Sequence, residues 1–202
     1  MPRKIIPEKV EKAKSCIIQA AVELIIKEGF SKFTLTAVAQ KVGITKAALY
    51  WYFSSKEALI AALTNSIKDE FIGTAKKTVS MPLTPKEKLT RVLNGAENAV
   101  DEFLCIFPIK IFLEYYSKEI AIKSVIRQSY IEYINIISSI LKEGIVAEEF
   151  NSFLRIDETA KYIVGGMDGT AIQAAILGED YKTRLKNFIA ATMKLVLVKT
   201  KR

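Results

Sequence analysis

The chain has 202 residues, 50% of them hydrophobic, with only 9 Gly and 5 Pro, which permits a sizeable core and favours long helices over many short strands. It has no histidine and no cysteine pair at ligand spacing, which argues against a zinc site and against histidine-based catalysis. The net charge of +8 is uneven, because residues 1–56 carry 10 basic and 4 acidic side chains and the other residues carry 20 and 18. A basic head on a nearly neutral body indicates a polyanionic partner, or else a solvated lysine-rich surface.

Several other functional classes find no support in the chain. Charges such as Lys110 and Glu114 interrupt the apolar runs before they reach membrane-spanning length, and residues 1–7 lack the apolar core of a signal peptide. We therefore expect a cytoplasmic protein with no membrane association. No nucleophile elbow and no phosphate-binding glycine loop is present, so we expect no catalytic residues, no cofactor and no metal. Cys16 and Cys105 stand in apolar helical patterns and are expected to be buried free thiols.

The first half of the chain predicts four helices. A helix from Glu8 to Glu28 has apolar residues at helical spacing, and Gly29 follows directly, as a left-handed cap should. Each of the next three helices is preceded by a hydroxyl side chain that can cap it. These are Thr34 before residues 35–42, Thr45 before residues 46–52 and Ser55 before residues 56–79.

Residues 81–85 form the clearest break in the chain, with Thr84 as an N-cap and Pro85 at the first helical position. No strand pattern persists for more than a few residues, so we predict an all-α fold. The remaining predicted elements are a helix from 85 to about 104, a helix from about 120 to 143 that Gly144 ends, a loop at 151–155, and helices at about 156–177 and 181–199.

Two short helices that meet at Gly43 predict a helix-turn-helix, because the glycine permits the tight turn between them. Apolar residues at suitable spacing would form the seam between the helices: Val38, Val42, Ile44, Leu49 and Phe53. The second helix is then left with small, basic and aromatic residues that face wholly or partly outward: Lys46, Ala47, Ala48, Tyr50, Trp51 and Tyr52.

This outward face suits the major groove of DNA. Small residues such as Ala47 and Ala48 let the backbone approach the base edges, where their methyl groups pack on thymine. Tyr50 and Tyr52 offer hydroxyl donors to phosphates, and Lys56 adds a positive charge at the start of a helix. The other interpretation is that the aromatic residues are half-buried packing groups of the head and that the lysines are solvated surface charges.

The segment resembles the DNA-binding head of the tetracycline-repressor (TetR) family over about the first 60 residues. The matching residues are Val38-Ala39, Val42-Gly43-Ile44-Thr45-Lys46, Leu49-Tyr50-Trp51-Tyr52-Phe53 and Ser55-Lys56-Glu57-Ala58-Leu59. The resemblance implies a homodimeric repressor of nine helices with a ligand pocket in its body. It also implies roles by position: Thr36, Lys46, Ala47 and Ala48 would face bases, and Tyr50, Tyr52 and Lys56 would contact phosphates. Thr34, Thr45 and Trp51 complete the predicted DNA-binding set.

Three of the base-facing positions depart from what direct readout needs. Thr36, Ala47 and Ala48 cannot make the bidentate base contacts that Arg, Asn or Gln would make. Shape readout, or contacts from an N-terminal arm with Arg3 and Lys4, would compensate, unless that arm is a disordered tail.

Seven of the 19 aromatic residues fall within residues 103–133, which predicts either an apolar ligand pocket near Pro108 or a plain aromatic core. The family resemblance favours the pocket, because ligands of that family lie among the middle helices. Such a lining favours a lipid-like ligand, and neighbouring cations would hold an anionic head group such as an acyl-coenzyme A (acyl-CoA) phosphate. The predicted pocket residues are Phe103, Phe107, Lys110, Phe112, Tyr115, Tyr116, Lys123, Arg127, Tyr130 and Tyr133.

Small residues at close spacing in segment 165–171 predict a dimer surface on the last two helices, because they let helices approach closely. The alternative is burial within one monomer. Asp168, inside this segment, would pair across the interface or cap locally. The predicted interface residues are Gly165, Gly169, Ile172, Ile176, Phe188 and Leu195.

Together these features predict a ligand-responsive repressor with a DNA-binding domain at residues 1–55 and a ligand-binding and dimerisation domain at 56–202. Ligand in the body would move the helix at 56–79, change the spacing of the two heads and lower the affinity for double-stranded operator DNA. The best ligand candidate is a fatty acyl-CoA. The alternatives are a regulator of an efflux gene that senses hydrophobic drugs, and a non-specific architectural DNA-binding protein.

Overall fold

A computed structural model describes residues 7–29, 32–95 and 120–198 of the chain. The described residues form eight helices: α1 (Pro7–Glu28), α2 (Leu35–Val42), α3 (Lys46–Tyr52), α4 (Lys56–Val79), α5 (Pro85–Asn94), α6 (Ile120–Val146), α7 (Ile156–Leu177) and α8 (Tyr181–Val196). In these ranges the β-type pairing amounts to one antiparallel bridge, between Phe150 and Leu197. The predicted all-α class is confirmed, and the predicted number of about nine helices is approximate.

The chain divides into two compact units, a head of residues 1–67 and a body of residues 68–202. The division falls inside α4, so the predicted boundary between residues 55 and 56 stays a prediction. Within the described ranges, no helix has both the length and the apolar character that crossing a membrane requires.

In the head, α1 packs against α2 and α2 packs against α3. Gly29 ends α1 in the predicted left-handed conformation, with φ at 81°, and its N–H donates to the carbonyl of Ile25 at 2.9 Å. The prediction that Cys16 is buried is wrong, because α1 turns Ile17 into the core and leaves Cys16 exposed. Fully buried apolar side chains of the head include Ile17, Ala21, Ile25, Phe33, Val38, Leu49, Leu59, Ile60 and Leu63.

In the body, α5 packs against α6 and α8, α6 packs against α7, and α7 packs against α8. Lys88 is buried beside this core, and its ammonium contacts both carboxylate oxygens of Glu143 at 2.8 and 3.0 Å. The pairing matters because a buried charge without a partner is strongly destabilising. One apolar cluster joins the four helices to the second half of α4, and it includes Ile72, Leu89, Leu93, Ile137, Ile140, Leu141, Phe150, Ala160, Ile163 and Leu185.

The predicted start of α5 is confirmed in detail. The N–H of Glu87 donates to Thr84 Oγ1 at 3.3 Å, and Glu87 Oε2 accepts from the N–H of Thr84 at 2.9 Å. This reciprocal capping box, with Pro85 in the first turn, satisfies N–H groups that a helix start otherwise leaves unpaired. The helix ends at Asn94, and most of its predicted extension towards residue 104 lies outside the described residues.

The prediction that Gly144 ends α6 is wrong, because the helix continues through it to Val146. A glycine is needed at position 144 because the Phe150 ring packs directly against its backbone. A Cβ atom on Gly144 would lie 2.1 Å from Cδ2 of Phe150, whose ring is fully buried. The chain then folds back sharply, with Glu148 at a φ of 58°, and the N–H groups of Glu149 and Phe150 donate to the Gly144 carbonyl.

The last helix also ends earlier than the predicted residue 199. Leu197 leaves α8 in an extended conformation and forms the bridge with Phe150. The N–H of Asn151 donates to the carbonyl of Val196 at 2.8 Å, and the N–H of Val198 donates to the carbonyl of Glu149 at 3.1 Å. The turn between α6 and α7 therefore terminates α8.

Candidate functional site

The turn between α2 and α3 has the local structure that its residues predict. The N–H of Ala37 donates to Thr34 Oγ1, and the N–H of Ala48 donates to Thr45 Oγ1, each at 3.1 Å. Both hydroxyl groups thus act as N-caps, as predicted. Gly43 has a φ of 78°, a left-handed backbone conformation that residues other than glycine adopt only at a cost in free energy.

The seam under α3 is apolar: three of its five predicted members are buried, and Val42 and Ile44 are half-buried. Val38 and Leu49 have no solvent exposure, and Phe53 is also buried. Ala39 is buried at the point where the helices approach, which is where a small side chain is needed. A helix of only 7 residues is not stable by itself, so this burial holds α3 in place and fixes which of its faces is outward.

The outward face of α3 carries large aromatic side chains in solvent. Trp51 is 58% exposed and Tyr50 is 46% exposed, and the ring of Tyr52 meets Trp51 edge-on at a centroid distance of 4.8 Å. Lys46 is exposed, with its ammonium 5.9 Å from the centre of the Tyr50 ring. Exposed aromatics beside a cation contribute little to the head's own stability, and they suit contact with phosphates and bases.

The other predicted DNA-binding residues are accessible to different degrees. Ala47 and Thr36 are exposed, and Ala48 and Lys56 are half-buried. Lys56 lies in the first turn of α4, which Ser55 caps by accepting from the N–H of Ala58 at 3.0 Å. The whole predicted set falls on α2, α3, their caps and the start of α4, and its contact with DNA stays a prediction.

Phe33 is a residue of this site that the sequence analysis missed. Its ring is fully buried, and the ammonium of Lys56 lies 5.2 Å from the ring centre. A local signal was available, because Phe33 stands immediately before the Thr34 cap and Val38 occupies the fourth helical position. That pair is the hydrophobic-staple pattern, and both side chains have no solvent exposure here.

The predicted ligand-pocket residues are only partly described. Four of them lie on α6: Tyr133 is buried, Tyr130 is half-buried, and Lys123 and Arg127 are exposed. A shallow groove at the start of α7 contains none of the predicted residues. In the described ranges no three His, Cys, Asp or Glu side chains are grouped as metal ligands would be. The predicted residues that lie outside the described ranges are Phe103, Phe107, Lys110, Phe112, Tyr115 and Tyr116.

Tyr133 connects three other elements of the body. Its ring lies 4.7 Å from that of Phe71 on α4, its hydroxyl donates to the carbonyl of Val92 on α5 at 3.3 Å, and it lies 4.0 Å from Sδ of Met167 on α7. These contacts make Tyr133 part of the core of the body.

Tyr130 and Asp168 form a half-buried pair between α6 and α7. The Tyr130 hydroxyl donates to Asp168 Oδ2 at 2.8 Å, so Asp168 pairs within the chain. Burial raises the pKa of Asp168, and the hydrogen bond from Tyr130 partly offsets that rise. Burial, and then the negative charge of Asp168, hold the pKa of Tyr130 above its ordinary value, so the phenol keeps its proton.

The pair makes stability depend on pH in a definite direction. Because the folded-state pKa of Asp168 is raised, folded protein binds more protons than unfolded protein, and stability falls as pH rises from the ordinary carboxyl pKa through the raised one. Tyr130→Phe removes the offsetting donor, so we expect about 1.5 kcal/mol lower stability at neutral pH. Asp168→Asn should abolish this pH dependence. Urea unfolding of both variants between pH 3.5 and 7.5 measures it, and an unchanged slope in Asp168→Asn would contradict the assignment.

The predicted dimer residues separate into two groups. At Gly165 and Gly169, apart from adjacent residues and the backbone of α7 itself, no described atom lies within 4 Å of the position that an added Cβ atom would take. Tyr162, Ile172 and Ile176 are exposed along the same face of α7. On α8, Leu195 is 61% exposed. Phe188, by contrast, packs within the chain, because a Cβ atom on Gly166 would lie 2.5 Å from its ring.

Comparison with known proteins agrees with this geometry. Residues 17–63 match the family model described as "Bacterial regulatory proteins, tetR family". The "Fatty acid metabolism regulator protein" of Bacillus subtilis is 29% identical over 156 residues, which cover 76% of this chain and 79% of that protein. The "HTH-type transcriptional regulator TtgR" of Pseudomonas putida is 34% identical over 62 residues, which cover 31% of this chain and 30% of that protein.

A solved structure shows the same fold over most of the chain. The transcriptional regulator FadR of Bacillus subtilis, solved in complex with stearoyl-CoA, superposes with a TM-score of 0.72 at 24% identity and covers 89% of this chain and 97% of that one. The family-model match contains all of α2 and α3 and the first turns of α4, which are the elements that build the exposed aromatic face. On this evidence the head of the chain, over residues 17–63, is similar to bacterial regulatory proteins of the tetR family.

Proposed function

We propose that the protein is a homodimeric repressor that binds double-stranded operator DNA through α3 and is released from it by a long-chain fatty acyl-CoA. The observation that carries the DNA-binding part is the exposed face of α3, where Tyr50, Trp51 and Lys46 are exposed to solvent above an apolar seam. A recognition helix needs such a rigid support, because its side chains must reach fixed positions in the groove.

The chemistry of this face favours contacts with phosphates and methyl groups over bidentate base readout. Lys46 and the tyrosine hydroxyls donate to phosphate oxygens, and Ala47 offers a methyl group to thymine. The net charge of +6 over residues 1–56 adds a long-range attraction to DNA that weakens with salt. Specificity then depends on groove shape as well as on direct contacts.

Lys46→Ala is expected to weaken operator binding by about tenfold, because one charged contact of each subunit is lost. Lys41→Ala is the matched control, since Lys41 is also an exposed lysine of the head but its ammonium binds Glu23 at 3.0 Å. Trp51, the single tryptophan of the chain, reports binding by its fluorescence. Equal losses in the two variants would mean that only the total charge of the head matters.

The ligand part of the proposal is supported by a relative that matches beyond the head. The similarity to the fatty acid metabolism regulator covers 76% of this chain, whereas the match to TtgR covers 31%. The FadR structure of the same fold is described as a complex with stearoyl-CoA. In this chain Lys123 and Arg127 lie four residues apart on α6, both exposed, at a spacing that puts their charges on one helix face. Such a pair suits the phosphates of coenzyme A.

A gel-shift experiment tests both parts of the proposal. Purified protein is mixed with its own upstream DNA at physiological salt, against a scrambled competitor, with stearoyl-CoA, free coenzyme A or stearate added. Specific binding that only stearoyl-CoA abolishes supports the whole proposal. Specific binding that ignores all three compounds retains the repressor and excludes this ligand. If that DNA binds no better than the competitor, a promoter-wide screen for protected sites decides between another operator and an architectural role.

Replacing the two cations near the start of α6, as Lys123→Gln/Arg127→Gln, is expected to raise the stearoyl-CoA concentration needed for half-release about tenfold or more, because two charge-assisted contacts are lost. DNA affinity without ligand should stay unchanged. The control Lys142→Gln/Lys182→Gln removes the same charge from other exposed positions of the body. A parallel shift in the control would assign the effect to overall charge.

Dimerisation is supported by the uncovered apolar face of the last two helices. Tyr162, Gly165, Gly169, Ile172 and Ile176 follow one another at three- and four-residue steps, so they form one stripe along α7. Exposed apolar stripes of this length mark association surfaces, and the glycines would let a partner helix approach closely. Leu195 and Val198 extend the apolar surface on α8 and beyond its end.

Release would follow from a shift between two populations of the dimer. Ligand binding in the body would displace α4, whose residues belong to both units, and would change the separation of the two recognition helices. The ligand acts only to the extent that it binds the DNA-free form more tightly than the DNA-bound form.

A further inference from the structure

Lys56 is the first residue of α4, and its side chain has an aromatic neighbour. Its ammonium lies 5.2 Å from the centre of the Phe33 ring, within the distance at which a cation is attracted to the face of an aromatic ring. Phe33 comes from the segment before α2, so the contact joins the starts of two helices that the proposed function directs at DNA.

The ring is a rigid support. Phe33 has no solvent exposure, and Val38, Leu49 and Leu59 of the same head are equally buried. Lysine, by contrast, has four rotatable bonds, and most of their freedom is lost when its ammonium binds a phosphate. A fixed aromatic face that holds the ammonium before binding removes part of that loss, because the preferred position exists already in the free protein.

We propose that Phe33 is a positioning residue for phosphate binding: its ring holds the Lys56 ammonium in place and so raises the affinity for DNA without touching DNA itself. The inference rests on the proposed DNA-binding function, since it assigns a phosphate contact to Lys56. It adds a buried aromatic to a site whose other members lie at the surface.

Fluorinated phenylalanines test the proposal because they keep the shape of the ring and weaken its negative face step by step. Phe33 is replaced in the full-length protein by the 4-fluoro, 3,5-difluoro and 3,4,5-trifluoro forms, and affinity for the operator fragment is measured from 50 to 300 mM salt. We expect a graded loss that reaches about two- to fivefold for the trifluoro form. The salt dependence should keep its slope, because the lysine charge remains.

Two backgrounds separate the roles of ring and lysine. Log affinity falls with log salt concentration, and Lys56→Met should make this slope shallower by about 0.9 per subunit, because one phosphate contact disappears. Fluorination of Phe33 should then have no further effect in the Lys56→Met protein. Phe53 is the matched control ring, since it is buried in the same head, and fluorination there should leave affinity unchanged.

Each result has a distinct meaning. A graded loss that depends on Lys56 supports the positioning role. Flat or increasing affinity across the Phe33 series, or the same loss in the Lys56→Met background, overturns it while the DNA-binding function stands. An unchanged salt slope in Lys56→Met removes the phosphate contact and with it the inference. Failure of every variant, including the unmodified protein, to prefer the operator over scrambled DNA contradicts the proposed function itself.

Discussion

The double substitution Ile172→Asp/Ile176→Asp should convert the proposed dimer into a monomer and lower its operator affinity about 100-fold or more. Ile176 is 74% exposed and Ile172 is 38% exposed, so the aspartates cost the isolated monomer little. In the proposed dimer interface the same carboxylates would lose their hydration, which is strongly unfavourable. Operator affinity falls as well, because a monomer engages one half-site where a dimer engages two.

Sedimentation velocity measures the association state, and thermal unfolding confirms that the monomer is folded. Phe153→Asp is the control, because Phe153 is 90% exposed but lies in the turn before α7, outside the stripe. A double variant that sediments as a dimer would place the interface on another surface, and dimer loss in the Phe153 variant would extend the interface to that turn.

The substitution Gly144→Ala should destabilise the body by about 2–3 kcal/mol. The added methyl group would lie 2.1 Å from the Phe150 ring, and that ring is enclosed by the apolar cluster of the body. The ring cannot move aside without disturbing the bridge between Phe150 and Leu197. Strain of this kind exceeds the gain of less than about 1 kcal/mol that alanine usually brings over glycine within a helix.

Gly73→Ala provides the comparison. Gly73 lies within α4, and apart from adjacent residues and the backbone of α4 itself, no described atom is within 4 Å of the position of an added Cβ. The same substitution should therefore stabilise the protein by roughly 0.5–1 kcal/mol. Urea denaturation followed by far-ultraviolet circular dichroism measures both variants, and a Gly144→Ala protein as stable as the parent would show that the turn after α6 adapts easily.

Helix starts could be predicted from the sequence, because the interactions that fix them are local. Thr34, Thr45 and Thr84 each accept the N–H of a residue three positions later, and this pattern is visible in the order of the residues alone. The helix ends that were predicted wrongly depend on residues that are distant in the sequence. Gly144 looks like a terminator by composition, but its role is set by Phe150 in the following turn, and α8 stops where Leu197 meets the same residue.

The site was predictable to a similar extent. The exposed face of α3 follows from helical periodicity around the buried Leu49, so its members could be found without coordinates. The Tyr130–Asp168 bond spans 38 positions in the chain, and no periodic pattern indicates it. Phe188 has the spacing of an interface residue, and its packing against Gly166 within the chain could not be read from that spacing.

The connections made around Phe150 have a consequence for how the body unfolds. The backbone N–H of Asn151 donates to Val196, and that of Val198 donates to Glu149. These two hydrogen bonds connect the end of α8 to the turn between α6 and α7. A helix end that is exposed to solvent usually frays freely, yet here fraying of the end of α8 requires that the turn open as well. The amides of Asn151 and Val198 should consequently exchange with solvent only when α6, α7 and α8 open together. Their exchange should therefore be much slower than that of ordinary backbone amides in an exposed turn.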